Sequence, residues 1–118
     1  MRILICGDRN YTNYQKILSV LKDLKEQYGL ILVIEGGAKG ADTLAREASK
    51  ELDILYEEYP ADWITHKKAA GPIRNQRMID EGKPDLVVAF HGNISESKGT
   101  KDMINKAKKY KIRWLLYE

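Results

Sequence analysis

The sequence contains one cysteine, three prolines and no long apolar run. The single cysteine, Cys6, excludes an internal disulfide and is typical of proteins from a reducing compartment. A membrane-spanning helix needs about 18 or more consecutive apolar residues, whereas the opening stretch MRILICG becomes polar after a few residues. We therefore expect a soluble cytoplasmic protein that does not contact a membrane.

The sequence also carries little net charge. The 20 basic and 17 acidic residues leave a formal net charge of only +3, which is too small to indicate nucleic-acid binding by itself. The composition, 43% hydrophobic and 31% charged, is ordinary for a globular protein. We expect a single domain over residues 1–118, because a chain of this length buries about two-thirds of the surface that its unfolded form exposes.

Short apolar runs alternate with segments of helical periodicity. The runs predict five buried strands, at residues 2–6, 30–35, 53–56, 85–90 and 112–117. Apolar residues at helical spacing predict helices around residues 14–28, 41–52 and 103–107. A shorter helix is expected over residues 72–81, with Pro72 in its first turn and Gly82 closing it. Strands joined by helices build a parallel sheet covered on both faces. We therefore predict an α/β fold, a Rossmann-like three-layer α/β/α domain with a five-stranded parallel sheet of order 3-2-1-4-5.

Glycines and charged residues follow three of the predicted strands. They are GDR at residues 7–9, GGAKG at 36–40, and HG at 91–92 with KGT at 98–100 opening the last helix. In an open parallel sheet, ligands bind beyond the carboxyl ends of the strands, where helix N-termini attract anions. The pattern predicts a site for a phosphate-bearing small molecule. A tight turn explains any single glycine equally well.

The glycines complete neither of the common nucleotide-binding motifs. Gly37 and Gly40 form only part of a GxGxxG, because Glu35 stands where the first glycine belongs, and no GxxxxGK[ST] is present. This argues against a standard NAD-binding domain or ATPase, and no cofactor is predicted. No metal site is predicted either, since the two histidines and the cysteine lack metal-ligand spacing.

A second basic cluster, GPIRNQRM at residues 71–78, follows a predicted irregular loop at residues 57–71. Arg74 and Arg77 lie three residues apart and would share a helix face, where two guanidinium groups can clamp a phosphate or a carboxylate. The alternative is a solvated face on which they pair with the acidic residues at 80 and 81. The predicted ligand-binding residues are Gly7, Asp8, Arg9, Gly36, Gly37, Ala38, Lys39, Gly40, Asp42, Asn75, Arg77, His91, Gly92, Lys98, Gly99 and Thr100.

Four stretches of the chain resemble the SLOG superfamily, in particular its small, stand-alone YspA-like branch found in bacteria and their phages. They are CGDRNYTNY, VIEGGAKGADTLA, ADWITHKKAAGPIRNQRM, and DLVVAFHGN with the following SKGT. The resemblance covers nearly the whole chain and implies a Rossmann-like fold that binds nucleotides or their derivatives. Relatives include the LOG phosphoribohydrolases and the DNA-uptake protein DprA, and they often form homodimers or larger homo-oligomers.

The resemblance also implies roles for individual residues. The glycine-rich turn at residues 36–40 matches the turn after the second strand of the superfamily. Arg74 resembles the arginine of an Arg-x-x-x-Met helix, and in LOG enzymes that arginine is catalytic. Residues 99–100 match the end of the LOG motif PGGxGTxxE, but Met103 stands at the position of its catalytic glutamate. If the protein is a hydrolase, Arg74 and Glu35 are its predicted catalytic residues.

Hydrolysis of an N-glycosidic bond passes through a cationic sugar, so a carboxylate must replace the missing glutamate. Asp102 is adjacent to Met103, but one residue turns a helical side chain by about 100°, away from the site. Glu35 is the best placed, at the end of a central strand, with Asp8 and Asp42 as alternatives. Glu35 would equally cap the next turn or hold a ribose hydroxyl.

Three functional hypotheses fit these residues. The first is a sensor or sequestering protein that binds a nucleotide-like small molecule, such as a nucleoside phosphate or an ADP-ribose or NAD derivative. The second is a LOG-type nucleotide N-glycosidic hydrolase. The third is a DprA-like single-stranded DNA binder, which the low net charge disfavours. Trp63 and Tyr11 lie beside the loops, where they would either stack on a purine or pack internally.

Overall fold

Five parallel strands form a single sheet in the computed structural model, which describes all residues from Met1 to Glu118. The strands are β1 (Arg2–Gly7), β2 (Leu32–Glu35), β3 (Leu55–Glu58), β4 (Leu86–Phe90) and β5 (Arg113–Tyr117). Their order is β3-β2-β1-β4-β5, and every neighbouring pair is parallel. The predicted fold class and strand order are confirmed.

Helices cover both faces of the sheet. They are α1 (Tyr14–Tyr28), α2 (Ala41–Glu51), α3 (Trp63–His66), α4 (Ala70–Asp80) and α5 (Gly99–Lys109). Side chains that alternate along β1 divide the core, because Ile3 and Ile5 pack with α1 and α2 whereas Leu4 and Cys6 pack with α4 and α5. The result is the expected three-layer arrangement. None of the helices is both long and apolar enough to pass through a lipid bilayer.

The segment at residues 57–71 differs from the irregular loop that we expected. Its first residues extend β3, and its last belong to α4, which begins at Ala70. Between them lie α3 and a 3-10 turn at Lys67–Ala69. Asp62 caps α3 by accepting a hydrogen bond from the Thr65 amide at 3.1 Å. A four-residue helix carries too little periodicity to be recognised in a sequence pattern.

Close backbone contact holds the loops after β1 and β2 together. Gly40 has a φ of 73° and lies against the backbone of Asp8 and Arg9, so that a Cβ at this position would overlap those atoms. Only glycine combines this left-handed conformation with so close an approach. Gly7 is similarly enclosed, since a Cβ there would lie 2.7 Å from the Cβ of Ala41. The start of α2 is therefore fixed directly beside the β1–α1 loop.

Candidate functional site

A cavity of about 530 Å³ lies beyond the carboxyl ends of β1 and β2, between the β1–α1 loop and the start of α2. Its volume is in the usual range for small-molecule sites. Arg9 and Lys39 are exposed, and neither forms a salt bridge within the protein. The wall of the cavity therefore carries positive charge that no carboxylate neutralises. The lining residues are Arg9, Asn10, Tyr11, Thr12, Lys39, Gly40, Thr43 and Leu44.

The shape of the β1–α1 loop depends on Asp8. The Asp8 amide donates to the carbonyl of Phe90 at 2.9 Å, which continues the β1–β4 pairing by one residue. The Asp8 carboxylate accepts a hydrogen bond from the Asn10 amide at 2.9 Å, and its carbonyl accepts one from the Tyr11 amide at 3.1 Å. Because its carboxylate is bonded within the loop, Asp8 holds the backbone that carries the exposed Arg9.

The glycine-rich turn after β2 bonds its amides internally. The amides of Gly36 and Ala38 both donate to Oδ2 of Asp42, at 3.1 and 3.2 Å. The Gly37 amide donates to Oε2 of Glu35 at 2.8 Å. These two carboxylates occupy the amides of Gly36, Gly37 and Ala38, three of the predicted phosphate-binding residues. Glu35 therefore caps the turn, which was one of its expected roles, and positive charge for a ligand comes from the side chains of the cavity wall instead.

Arg74 supports the same turn from α4. Its Nη1 donates to the Gly36 carbonyl at 2.6 Å, and its Nε donates to Oδ1 of Asn75 at 3.0 Å. Gly36 lies between this guanidinium and Asp42, because a Cβ added at Gly36 would overlap Arg74 and lie 2.9 Å from Asp42 Oδ2. These contacts make Arg74 part of the scaffold of the turn.

Arg77 contacts a different set of residues. Its Nε donates to Oε2 of Glu81 at 2.6 Å, and its guanidinium lies 5.1 Å from the ring centre of Tyr59. Arg74 and Arg77 therefore do not form the clamp suggested by their spacing. The pairing of an arginine with an acidic neighbour, which the sequence offered as the alternative, is the arrangement present at Arg77.

Burial controls the acid chemistry of the turn. Glu35 has no exposed surface, and burial raises its pKa to about 7, with the Gly37 amide opposing this shift and Asp42 and Glu58 adding to it. Burial likewise raises the pKa of Asp42 to about 6, opposed chiefly by Arg74. Oε1 of Glu35 has no hydrogen-bond partner within the protein. This carboxyl can exchange a proton near neutral pH, but it lies beneath the surface of the molecule.

The loop after β4 forms its own hydrogen bonds and does not line the cavity. Nδ1 of His91 accepts from the Asn93 amide at 2.9 Å, and Oγ of Ser97 accepts from the Thr100 amide at 3.0 Å. The structure thus brings the first two predicted loops together and leaves the third apart from the cavity. The other predicted residues of this third loop are exposed, namely Gly92, Lys98 and Gly99.

Asp102 does not line the cavity, and its carboxylate contacts Asn75 on α4. Nδ2 of Asn75 donates to Asp102 Oδ2 at 3.0 Å and to the Gly99 carbonyl at 3.2 Å. Met103 is fully buried in the core beneath α4 and α5. α4 packs against the side of α5 that carries Asp102, a contact that the position of Asp102 along its own helix does not reveal. The available signal was Asn75 itself, because a buried amide needs hydrogen-bond partners.

Other lining residues were not identified from the pattern of glycines and charges. Asn10 and Thr12 come from the β1–α1 loop, and Thr43 and Leu44 come from the first turns of α2. Thr43 also fixes the turn, since its hydroxyl donates to the Ala38 carbonyl at 2.7 Å. No group of three or more His, Cys, Asp and Glu side chains is arranged to hold a metal ion.

Comparison with known proteins gives both sequence and fold matches. A model of the YspA, cpYpsA-related SLOG family matches residues 1–66. The Gene 61 protein of Mycobacterium phage D29 is 33% identical over 115 residues, which cover 92% of this chain and 89% of the phage protein. The X-ray structure of DNA processing protein A (DprA) from Streptococcus pneumoniae is similar with a TM-score of 0.76 and 13% identity, a likeness that shows the fold alone. The match covers 98% of this chain and 49% of the DprA chain, so this chain spans about half the length of that protein.

Proposed function

Because this chain belongs to the YspA, cpYpsA-related SLOG family, we propose that it binds a nucleotide or a nucleotide-derived small molecule in the cavity beside α2. Family membership and the DprA-like fold support a role connected with nucleotides or nucleic acids in general. The choice of a small molecule and of this cavity comes from the site itself. In this proposal the protein acts as a sensor or as a sequestering protein, without cleaving the ligand.

The observation that carries the proposal is the pair of unneutralised cations, Arg9 and Lys39, in a cavity of about 530 Å³. Phosphate oxygens would accept charge-assisted hydrogen bonds from both side chains, each contributing about 1.5–3 kcal/mol. The side chains of Asn10, Thr12 and Thr43 add polar groups to the same wall. A cationic surface depression of this size, open to solvent, has room for a nucleoside phosphate or an ADP-ribose-like ligand.

A thermal-unfolding panel with AMP, ADP-ribose, NAD and cyclic ADP-ribose tests the proposal. A ligand present at about 100 times its Kd should stabilise the folded protein by about 2.7 kcal/mol. Arg9→Ala and Lys39→Ala should each raise the Kd of that ligand by about 10-fold or more, since each removes a charge-assisted hydrogen bond. Lys22→Ala, on an exposed position of α1, is the matched control and should leave the Kd unchanged.

Two results would contradict this function. One is the absence of stabilisation by every member of the panel. The other is a ligand that binds equally well to the wild type, Arg9→Ala and Lys39→Ala, because such a ligand would not occupy this cavity. A Kd that rises equally in Lys22→Ala would indicate a general effect of net charge rather than a site.

Nucleotide N-glycosidic hydrolysis is a second candidate, favoured by Glu35. A carboxyl with a pKa of about 7 and an unbonded oxygen is suited to acid–base catalysis. However, Glu35 has no exposed surface, so the glycine-rich turn would have to open before a substrate could reach it. Chromatography for free base after incubation with the same nucleotides tests this candidate. Release of base that Glu35→Gln abolishes would favour a hydrolase, and we expect no release.

DNA binding receives less support from the side chains of α5. Lys106 donates to both oxygens of Asp102, at 2.8 and 2.7 Å, and Lys108 lies 5.2 Å from the ring centre of Trp114. These lysines are therefore already engaged within the protein. DNA binding would be favoured over the small-molecule site if the protein retained a labelled single-stranded oligonucleotide at low salt and lost it as the salt concentration rose.

A further inference from the structure

We propose that Trp63 is the base-recognition residue of the ligand site. In this arrangement Arg9 and Lys39 hold the phosphate, and the Trp63 ring stacks on the aromatic base of the same ligand. The inference rests on the proposed function and extends it, because it assigns a residue outside the cavity wall to the specificity for a base. It predicts a preference for base-bearing phosphates over sugar phosphates.

Trp63 does not line the cavity, but it contacts Arg9, which does. The Arg9 guanidinium is 5.5 Å from the centre of the Trp63 ring, and Arg9 also lines the cavity. Trp63 is 48% exposed, although large aromatic residues usually bury most of their surface. Because Arg9 lies over the ring, a base of an Arg9-bound ligand would stack on the exposed surface of Trp63 that Arg9 does not cover.

Tyr11, the other aromatic residue at this site, is not free to stack on a ligand in the same way. Its ring centroid is 5.6 Å from that of Phe90, and its hydroxyl donates to the Glu118 carbonyl at 3.0 Å. Both its apolar surface and its polar group are thus used within the protein. Tyr11 forms a fixed part of the wall, which leaves Trp63 as the aromatic residue with surface available for a base.

The position of Trp63 is supported from its own helix and from α4. Asp62 caps the short helix through the Thr65 amide. The far edge of the ring faces Gly71, since a Cβ there would lie 3.7 Å from Trp63 Cη2. One edge of the ring therefore lies near the first turn of α4, and Arg9 lies over the ring. A supported ring loses little freedom when a base stacks on it, which favours affinity.

Fluorescence and affinity measurements test this assignment. The chain has two tryptophans, so that Trp114→Phe leaves Trp63 as the only indole. In this variant we expect AMP and ADP-ribose to change the tryptophan emission and to bind about 5- to 150-fold more tightly than ribose 5-phosphate, the range for stacking of a base on an aromatic ring. In Trp63→Ala that preference should disappear, whereas Trp63→Phe should retain part of it.

The outcomes separate this inference from the function on which it rests. If AMP binds and Arg9→Ala weakens it, but Trp63→Ala does not, the base assignment is wrong and the proposed function stands. If Trp63→Ala weakens ribose 5-phosphate as much as AMP, Trp63 only positions Arg9, and the assignment is again wrong. If no ligand binds the wild type, both proposals fail. Thermal unfolding of Trp63→Ala and Trp63→Phe shows whether each variant is folded.

Discussion

The glycine-rich turn and the β1–α1 loop lie side by side at one edge of the sheet but use their polar groups in opposite ways. The turn bonds its amides to the carboxylates of Glu35 and Asp42. The loop bonds its own carboxylate, Asp8. Beside the cavity between the two segments, Arg9 of the loop and Lys39 of the turn have no salt-bridge partners. The amides of Gly36, Gly37 and Ala38 are therefore unavailable to an anion, whereas the cationic side chains beside the cavity are available to one.

This difference shows that a strand-end position alone does not make an anion site. Parallel topology places amides and helix N-termini beyond the strand ends, but a carboxylate in the same segment can take those donors first. Asp42, in the first turn of α2, is such an internal acceptor. The acidic residues near a glycine-rich turn thus decide whether its amides are available to a ligand.

The largest effect expected from this comparison is the loss of the turn in Asp42→Ala. Asp42 is only 6% exposed and accepts hydrogen bonds from two backbone amides. Without it these amides lack acceptors, so that the free energy of unfolding should fall by about 2–5 kcal/mol. Urea unfolding at pH 7 measures the change. Asp42→Asn is the matched variant, since its side-chain oxygen can still accept both hydrogen bonds.

A loss in Asp42→Ala of under about 0.5 kcal/mol, the usual size for a surface substitution, would mean that the carboxylate does not hold the turn. Equal losses in Asp42→Ala and Asp42→Asn would show that its negative charge beside Arg74, rather than its role as acceptor, is what stabilises the fold. Nucleotide affinity should fall in Asp42→Ala too, because the start of α2 forms one wall of the cavity.

The second prediction concerns the pH dependence of stability that Glu35 causes. Its pKa is about 7 in the folded protein, against 4.5 for an unperturbed glutamate. The folded state therefore keeps a proton that the unfolded state has released between these pH values, and its stability falls as the pH rises through this window. Above it, the charged, buried carboxylate costs the wild type up to about 3 kcal/mol.

Glu35→Gln removes this titration while keeping an oxygen for the Gly37 amide. The variant should therefore gain stability relative to the wild type as the pH rises from 5 to 8, by up to about 3 kcal/mol. Urea unfolding at the two pH values gives the difference in the free energy of unfolding between the variant and the wild type. The contributions of carboxylates present in both proteins largely cancel in this difference. A difference that does not change with pH would show that Glu35 does not titrate in this range.

The fold could be predicted from the sequence, whereas of the partners of the site residues only those close along the chain could, such as Glu81 for Arg77 and the Gly37 amide for Glu35. Apolar runs of strand length alternate with segments of helical spacing. This alternation predicts a parallel sheet and leaves few possible strand orders. The spacing along α4 gives the common face of Arg74 and Arg77 and offers Glu81 as a partner of Arg77, but it does not show that Gly36 lies within reach of Arg74. Likewise Asp102 meets Asn75 only through the packing of α4 on α5.

The smallest effect is expected for Arg77, which contributes to neither the turn nor the cavity. Its pair with Glu81 is about half exposed on both sides, and exposed pairs and cation–π contacts each contribute under about 1 kcal/mol. Arg77→Ala should therefore lower the free energy of unfolding by about 1 kcal/mol or less and leave nucleotide affinity unchanged. Arg9→Ala is the contrasting variant, with little change in stability and an affinity about 10-fold lower. An affinity loss in Arg77→Ala equal to that in Arg9→Ala would show that the ligand contacts Arg77 as well as Arg9, so that the anion site would extend from the cavity to the face of α4.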